Sequence, residues 1–220
     1  MGILSTYKTP RTIPDRLFEA LREAIVSGDI AAGSKISEPE LANRYGVSRA
    51  SLREALSRLE ACSLVKRRTN VGARVVSLSL GELLEIYRVR EALEGMAARL
   101  AAEQMSDAQL QDLQQLLNEA SGFDPTDINH DFHHAIVMGS DNRHLQQLLC
   151  NDLYHLMRMY RLQFGRGNSE RSSASREHQM VMDALGDRDG ELAEQLMRRH
   201  VRRSCEHTRQ QIEQQTENEA

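Results

Sequence analysis

Three of the eight histidines in this 220-residue chain lie on apolar stripes of helical segments. They are His133, His178 and His200, and the pattern of each segment directs the imidazole toward an interior. A buried imidazole needs hydrogen-bond partners, and neutral imidazole is a common ligand of Zn, Ni or Fe. Two interpretations stay open: three separate core histidines, or one divalent transition metal that all three share.

Two of these histidines are placed to meet across a helical hairpin. His178 and His200 flank the turn at Gly186, at about 12 and 18 Å along their helices at the standard rise. Antiparallel packing of the two helices would therefore bring both side chains to a similar height.

Arg90 is a charged residue on the inward, apolar face of a long helical segment. Its fork-shaped guanidinium suits two parallel hydrogen bonds to a carboxylate. A salt bridge to Glu94 or to another helix is the alternative. Arg158 and Arg161 are explained adequately as surface charges of a helix.

A second group of polar residues lies in the first third of the chain. Ser48 is positioned to cap a helix in which Arg49 and Arg53 occupy the first turns. A helix N-terminus offers backbone N–H groups to phosphates, and an arginine there can bind guanine through two hydrogen bonds. Simple packing of a helix pair about the Gly46 turn is the alternative.

Charge is distributed unevenly along the chain. The net charge is −4, yet residues 1–78 hold 13 Lys and Arg against 8 Asp and Glu, and the remainder holds 15 against 24. A basic module attached to an acidic one is a hint of nucleic-acid binding.

Composition excludes several classes of protein. With 40% hydrophobic and 27% charged residues, the chain has the mix of a soluble globular protein. No apolar run is long enough for a membrane span, and residues 1–11 lack a signal-peptide core. Cys62, Cys150 and Cys205 are too scattered for a disulfide framework, so we expect a reduced, cytoplasmic protein.

Hydrophobic periodicity predicts a mainly α protein in two parts. The first part is a winged helix-turn-helix: a helix at about 14–27, a short helix opened by a Ser37–Glu40 capping box, a helix from Ser48, and a basic hairpin of 65–68 with 73–76. The second is all-helical, with six helices at about 79–103, 106–120, 127–138, 142–163, 171–185 and from the turn at 186–189 to 214.

These elements predict the domain boundaries. An N-terminal arm covers 1–11, the DNA-binding domain 12–76, and a linker 77–80. An all-helical domain covers 81–214, and a frayed tail covers 215–220.

The first part resembles the DNA-binding domain of GntR-family bacterial transcription regulators over about residues 12–76. The strings that carry the resemblance are Gly28-Asp29-Ile30-Ala31-Ala32-Gly33, Leu41-Ala42, Gly46-Val47-Ser48-Arg49, Leu52-Arg53-Glu54-Ala55-Leu56 and Leu59-Glu60. The resemblance implies that Arg49, Ser51 and Arg53 contact the operator and that Gly72 of the wing lies at the DNA.

The second part resembles the FCD effector domain of the FadR-type branch over about residues 80–210, in its six-helix, VanR-like version. The resemblance implies that residues 81–214 form an antiparallel six-helix bundle that binds the effector and dimerises. The matching residues are Asn129-x-x-Phe132-His133, Asn142-x-x-Leu145, Glu177-His178, Ala184, Asp187 and His200. The resemblance implies a metal held by Asn129, His133, His178 and His200. It also implies that Arg90 meets the carboxylate of a small acid. Many relatives have Asp where Asn129 stands, and an uncharged amide should bind the metal more weakly.

The function expected is a homodimeric, ligand-responsive transcription regulator and not an enzyme. It is expected to be a repressor that binds a short palindromic double-stranded operator and is released or retuned by a small carboxylate metabolite. A metal-dependent hydrolase is the alternative, but the chain has no His-Glu-x-x-His helix and no Gly-x-Ser-x-Gly elbow. An architectural DNA binder without an effector is a third possibility.

Overall fold

The computed structural model describes residues 12–68, 72–119, 132–164 and 168–218. Contacts divide the described chain into two compact units. One unit contains residues 12–68, 72–77 and 151–163, and the other contains 78–119, 132–150, 164 and 168–218.

The unit with the N-terminal residues is a three-helix module with a small antiparallel sheet. Its elements are α1 (Ile13–Val26), β1 (Lys35–Ile36), α2 (Glu38–Tyr45), α3 (Arg49–Ala61), β2 (Val65–Arg68) and β3 (Gly72–Val75). The strand order is β1-β3-β2, with Lys66 of β2 opposite Arg74 of β3. The expected hairpin is therefore present, and β1 adds a third strand that the sequence analysis did not predict.

Polar caps set where the helices begin. Thr12, Ser48 and Ser79 each accept a hydrogen bond from the backbone N–H three residues on, and each has an extended backbone with ψ between 151° and 163°. The capping box predicted at Ser37 is wrong, because Ser37 leaves β1 with ψ at 102° and makes no side-chain cap. Gly46 ends α2 in the left-handed region, at φ 63°, where glycine is favoured.

Helices α1 and α3 form the core of this unit. Their apolar faces bury Leu17, Leu21 and Ile25 from α1 and Leu52, Leu56 and Leu59 from α3. Because these side chains are nearly or fully excluded from solvent, α3 is anchored on one face while its opposite face stays exposed at Arg49 and Arg53.

A helix from later in the chain belongs to the same unit. Helix α8 (Tyr154–Phe164) carries Arg158, which is only 3% exposed and bonds Glu23 of α1 through two hydrogen bonds of 3.3 Å. The sequence explanation of Arg158 as a surface charge is therefore wrong. The side chain is buried because residues 151–163 pack in the unit that contains α1.

The other unit is built from helices. They are α4 (Leu80–Gln104), α5 (Asp107–Glu119), α6 (Phe132–Gly139), α7 (Arg143–Gln146), a π-helical segment (Gln147–Leu153) that runs into α8, α9 (Asn168–Gly186) and α10 (Gly190–Asn218). The single helix predicted at 142–163 is thus divided into α7, the π-helical segment and α8. Helix α4 packs against α6, α9 and α10, and Ala97, Ala98 and Ala101 of α4 are fully buried.

Within the described residues, no helix combines the length and apolarity that crossing a bilayer requires.

Truncating the core of the N-terminal unit tests this packing. Leu56 is fully buried, so Leu56→Ala should lower the free energy of unfolding by about 2–5 kcal/mol. Glu54→Ala in the same helix is the control, because Glu54 is exposed and its removal should change stability by less than about 0.5 kcal/mol. Denaturant unfolding followed by circular dichroism measures both, and equal stability of the two variants would contradict the packing.

Candidate metal centre and nucleic-acid interface

Three helices of the second unit bring the three predicted histidines together. His133 projects from α6, His178 from α9 and His200 from α10. The Nε2 atom of His200 lies 3.2 Å from the Nε2 of His178 and 3.2 Å from the Nε2 of His133. His133 and His200 are 6% and 2% exposed, so the cluster is largely closed to solvent.

The opposite ring nitrogens of two histidines face carboxylates. The Nδ1 of His133 lies 2.7 Å from Oε2 of Glu94, and the Nδ1 of His200 lies 2.8 Å from Oε2 of Glu177. Both glutamates come from helices that pack in the same unit, α4 and α9. Each imidazole is therefore held at one edge while its other edge points at its neighbours.

Each of these glutamates also accepts a hydrogen bond from an arginine. Nε of Arg90 donates to Oε1 of Glu94 at 2.6 Å, and Nη1 of Arg203 donates to Oε1 of Glu177 at 2.8 Å. Burial alone would raise the pKa of Glu94, but Arg90 and His133 together hold that pKa well below its usual range. The hydrogen bond from His200, with help from Arg203, lowers the pKa of Glu177 despite its partial burial.

The ionised carboxylates decide the protonation of the imidazoles. A carboxylate only accepts hydrogen bonds, so Nδ1 of His133 and Nδ1 of His200 must carry the protons. In the neutral form, both Nε2 atoms then present lone pairs to each other at 3.2 Å. Two facing lone pairs repel, whereas a cation between them would satisfy both.

The spacing of the cluster fits a transition metal. Metal–imidazole bonds of about 2.0–2.1 Å in tetrahedral geometry separate neighbouring nitrogens by about 3.3–3.4 Å. The two separations that involve His200, both 3.2 Å, are close to that value, and the ligand atoms of all three histidines lie within 4.8 Å of one another. Imidazole donors suit Zn, Ni or Fe, and His133, His178 and His200 are the residues that would hold the ion. Asn129, the fourth ligand implied by the resemblance, lies outside the described residues.

Arg90 is buried beside this cluster. It is 5% exposed, and its guanidinium lies 5.1 Å from the centre of the Tyr87 ring. Its Nε donates a hydrogen bond to Glu94. The salt bridge to Glu94 that the sequence left open is therefore present. Among the described residues, no side chain or backbone group hydrogen-bonds its two Nη atoms, which are the groups that would face a carboxylate.

The residues predicted to meet DNA lie around the start of α3. Ser48 caps the helix by accepting from the N–H of Ser51, and the two hydroxyls are 2.9 Å apart. Arg49 and Arg53 are exposed, and Nε of Arg53 lies 2.9 Å from Oε2 of Glu38. The serines therefore shape the helix end, and the arginines present the charge.

The sheet adds basic groups next to this helix. Nη2 of Arg67 in β2 donates to the backbone carbonyl of Arg53 at 2.9 Å. Gly72 begins β3, is exposed, and has φ at 92°, a conformation that L side chains rarely adopt. The wing and the N-terminal half of α3 thus form one basic surface.

Sequence reasoning did not assign three residues that surround the histidine cluster. Glu94 was considered only as a partner of Arg90, Glu177 only as part of a motif with His178, and Arg203 was not singled out. A carboxylate at i+4 from an inward arginine, on an apolar face, is a local signal for the Arg90–Glu94 ion pair, but it does not indicate the contact of Glu94 with His133.

Comparison with known proteins places the chain in a family. Residues 14–75 match the model of bacterial regulatory proteins of the gntR family, and residues 85–203 match the FCD domain. The regulator YdhC of Bacillus subtilis is 32% identical over 92% of this chain and 94% of its own. The repressor RspR of Escherichia coli is 26% identical over 96% and 95%.

Solved structures show the same fold. A GntR regulator from Rhodococcus sp. RHA1 aligns with a TM-score of 0.72 at 22% identity, covering 89% of this chain and 96% of that one. McbR/YncC of E. coli aligns with a TM-score of 0.74 at 22% identity, covering 92% and 99%. The chain therefore belongs to the GntR family of bacterial transcriptional regulators, with an N-terminal helix-turn-helix domain and a C-terminal FCD domain.

Proposed function

We propose that this regulator is a homodimeric, cytoplasmic repressor that binds a short palindromic operator and is released or retuned by a small carboxylate bound at a metal centre. The observation that carries the proposal is the pairing of an exposed, arginine-bearing helix start with a buried cluster of three histidines in one chain. Residues 12–76 serve as the DNA-binding domain and residues 81–214 as the effector-binding and dimerisation domain. One similar protein, RspR of Escherichia coli, is described as a transcriptional repressor.

The DNA-binding step depends on α3. Arg49 and Arg53 read base edges from the first turns of the helix. The N-terminus capped by Ser48 offers its N–H groups to a phosphate, and the Ser51 hydroxyl, 2.9 Å from that of Ser48, lies beside them. Gly72 lets the wing approach the DNA backbone without a side chain. To contact a base, Arg53 must break its ion pair with the Glu38 carboxylate. Both side chains of this pair are partly exposed to solvent.

The effector-binding step uses the buried cluster. His133, His178 and His200, with Asn129 as a fourth ligand, would hold a divalent transition metal, which would supply a Lewis acid for oxygen atoms of an effector. Arg90 directs its Nη atoms to the carboxylate of the same molecule. The regulator responds only if the effector binds its two conformational states unequally.

An exposed apolar stripe supports the homodimer. Val89 and Met96 of α4 are 50% and 43% exposed, and Ala92 lies exposed between them on the same face. A second copy of this chain would cover this stripe through a two-fold contact, as a palindromic operator requires.

Loss of the recognition arginines tests DNA binding. Arg53→Ala and Arg49→Ala should each weaken binding to duplex DNA from upstream of the protein's own coding region by about 5–150-fold, because a bidentate base contact is worth about 1–3 kcal/mol. Arg209→Ala removes the same charge from α10 and serves as the control. Fluorescence anisotropy at fixed salt measures all three. An Arg53→Ala affinity equal to that of the control would contradict the proposal.

Loss of a histidine tests the metal centre. Zinc at a hundredfold excess over its Kd should stabilise the intact chain by about 2.7 kcal/mol, and chelation should remove that gain. His178→Ala should abolish the zinc-dependent rise in Tm, while His144→Ala, an exposed histidine of α7, should retain it. An identical zinc response in the two variants would rule out the cluster as the site.

Charge placed on the stripe tests the homodimer. Val89→Asp combined with Met96→Asp should convert a dimer to a monomer in sedimentation analysis, since two buried carboxylates would face their symmetry mates. Met180→Asp on α9 introduces a charge at another exposed apolar residue and should leave the dimer intact. A dimer that survives the double substitution would place the contact elsewhere.

A further inference from the structure

We infer that Glu94 and Glu177 are positioning residues that fix His133 and His200 as Nδ1–H tautomers and so direct both Nε2 lone pairs at the metal. The inference rests on the metal centre proposed above and assigns its outer partners. Neither glutamate would touch the ion; each acts through the imidazole that it holds.

Two matching three-residue chains carry this inference. The first runs from Arg90 to Glu94 to His133, with contacts of 2.6 Å and 2.7 Å. In each set of three residues, Oε1 of the glutamate accepts a hydrogen bond from the arginine, and Oε2 accepts one from the imidazole Nδ1.

The second chain runs from Arg203 to Glu177 to His200, with contacts of 2.8 Å and 2.8 Å. It is assembled from α9 and α10, whereas the first is assembled from α4 and α6. Two independent sets of helices therefore build the same arrangement on two of the three histidines. A single buried ion pair could arise from packing alone, but this repetition around one centre points to a shared role.

The arginines give the carboxylates their orientation and balance their charge. Glu94 is 4% exposed, and a buried carboxylate without a cation would be costly. Arg90 supplies that cation to Glu94, and Arg203 supplies it to Glu177. The two ion pairs add no net charge, so the positive charge of a bound metal would remain available to an anionic effector.

Hydrogen bonding among the histidines alone does not account for the geometry. An N–H···N bond between His133 and His200 would need a proton on one of the facing Nε2 atoms. Both rings already carry the proton that their glutamate requires at Nδ1. The bond would therefore exist only with one imidazole in its charged form, next to two other imidazoles.

Nitrogen NMR of the metal-free protein tests the tautomers directly. Long-range proton–nitrogen correlation spectra at a pH where the rings are neutral should show protonated Nδ1 and bare Nε2 in His133 and His200. Glu94→Ala should shift His133 toward the other tautomer and leave His200 unchanged, and Glu177→Ala should do the reverse. Single His→Gln variants assign the signals.

Zinc affinity, measured by competition with a chromophoric chelator, tests the consequence. Glu94→Ala and Glu177→Ala should each weaken zinc binding by about 10–100-fold, the usual cost of losing such a partner. Glu94→Gln should restore part of the affinity, because an amide oxygen still accepts from Nδ1–H. Glu91→Gln is the matched control: Glu91 lies one turn before Glu94 and pairs with Arg202 and Arg198 instead.

Two different results distinguish a failure of this inference from a failure of the proposed metal centre. Zinc affinities of both alanine variants within twofold of the Glu91→Gln control, with unchanged tautomers, would overturn the role of the glutamates. An intact protein that shows both Nδ1–H tautomers but takes up no zinc would instead overturn the proposed metal centre.

Discussion

The helical unit is organised around two imidazole rings, those of His133 and His200, whose Nε2 atoms face each other. The proton of each ring lies on the opposite nitrogen, Nδ1, next to a carboxylate. His133 and His200 each give Nδ1–H to a carboxylate, and their Nε2 atoms then meet at 3.2 Å. Four helices, α4, α6, α9 and α10, supply the residues of this arrangement. A cation between the two Nε2 atoms would replace the repulsion of their lone pairs by two attractive contacts, and it would connect the helices that carry these residues. Metal binding and the packing of the unit are therefore expected to be linked.

Arg90 connects the histidine cluster to the proposed effector site. Arg90 belongs to the ion pair that orients His133 and also carries the Nη atoms assigned to the effector. An acid that binds Arg90 would therefore contact the network of hydrogen bonds that orients His133. The FCD match covers residues 85–203, yet 151–163 pack in the compact unit that contains α1 and α3. Part of the sequence that matches the FCD domain thus belongs to the compact unit of α1 and α3, and the change of unit falls within the π-helical segment.

Local sequence signals were sufficient for the outline of the fold and for the inward direction of the three histidines, whereas their convergence on one site was implied by the family resemblance. The caps at Ser48 and Ser79, the left-handed Gly46 and the apolar stripes are all set by neighbours within one or two turns. The features that sequence reasoning missed depend on contacts between elements that are distant in the sequence. Strand β1 is two residues long and shows no periodicity, Ser37 misses its cap because β1 sets its backbone, and Arg158 is buried by residues distant in sequence. Glu94 and Glu177 meet histidines 39 and 23 positions away, which no local pattern encodes.

The most direct measurement is anomalous X-ray diffraction from crystals of the protein grown with a stoichiometric amount of zinc, recorded on both sides of the zinc absorption edge. The account predicts one strong anomalous peak between the Nε2 atoms of His133, His178 and His200, with Glu94 and Glu177 still bonded to Nδ1. A centre without an anomalous peak, with the imidazoles turned to other partners, would contradict it.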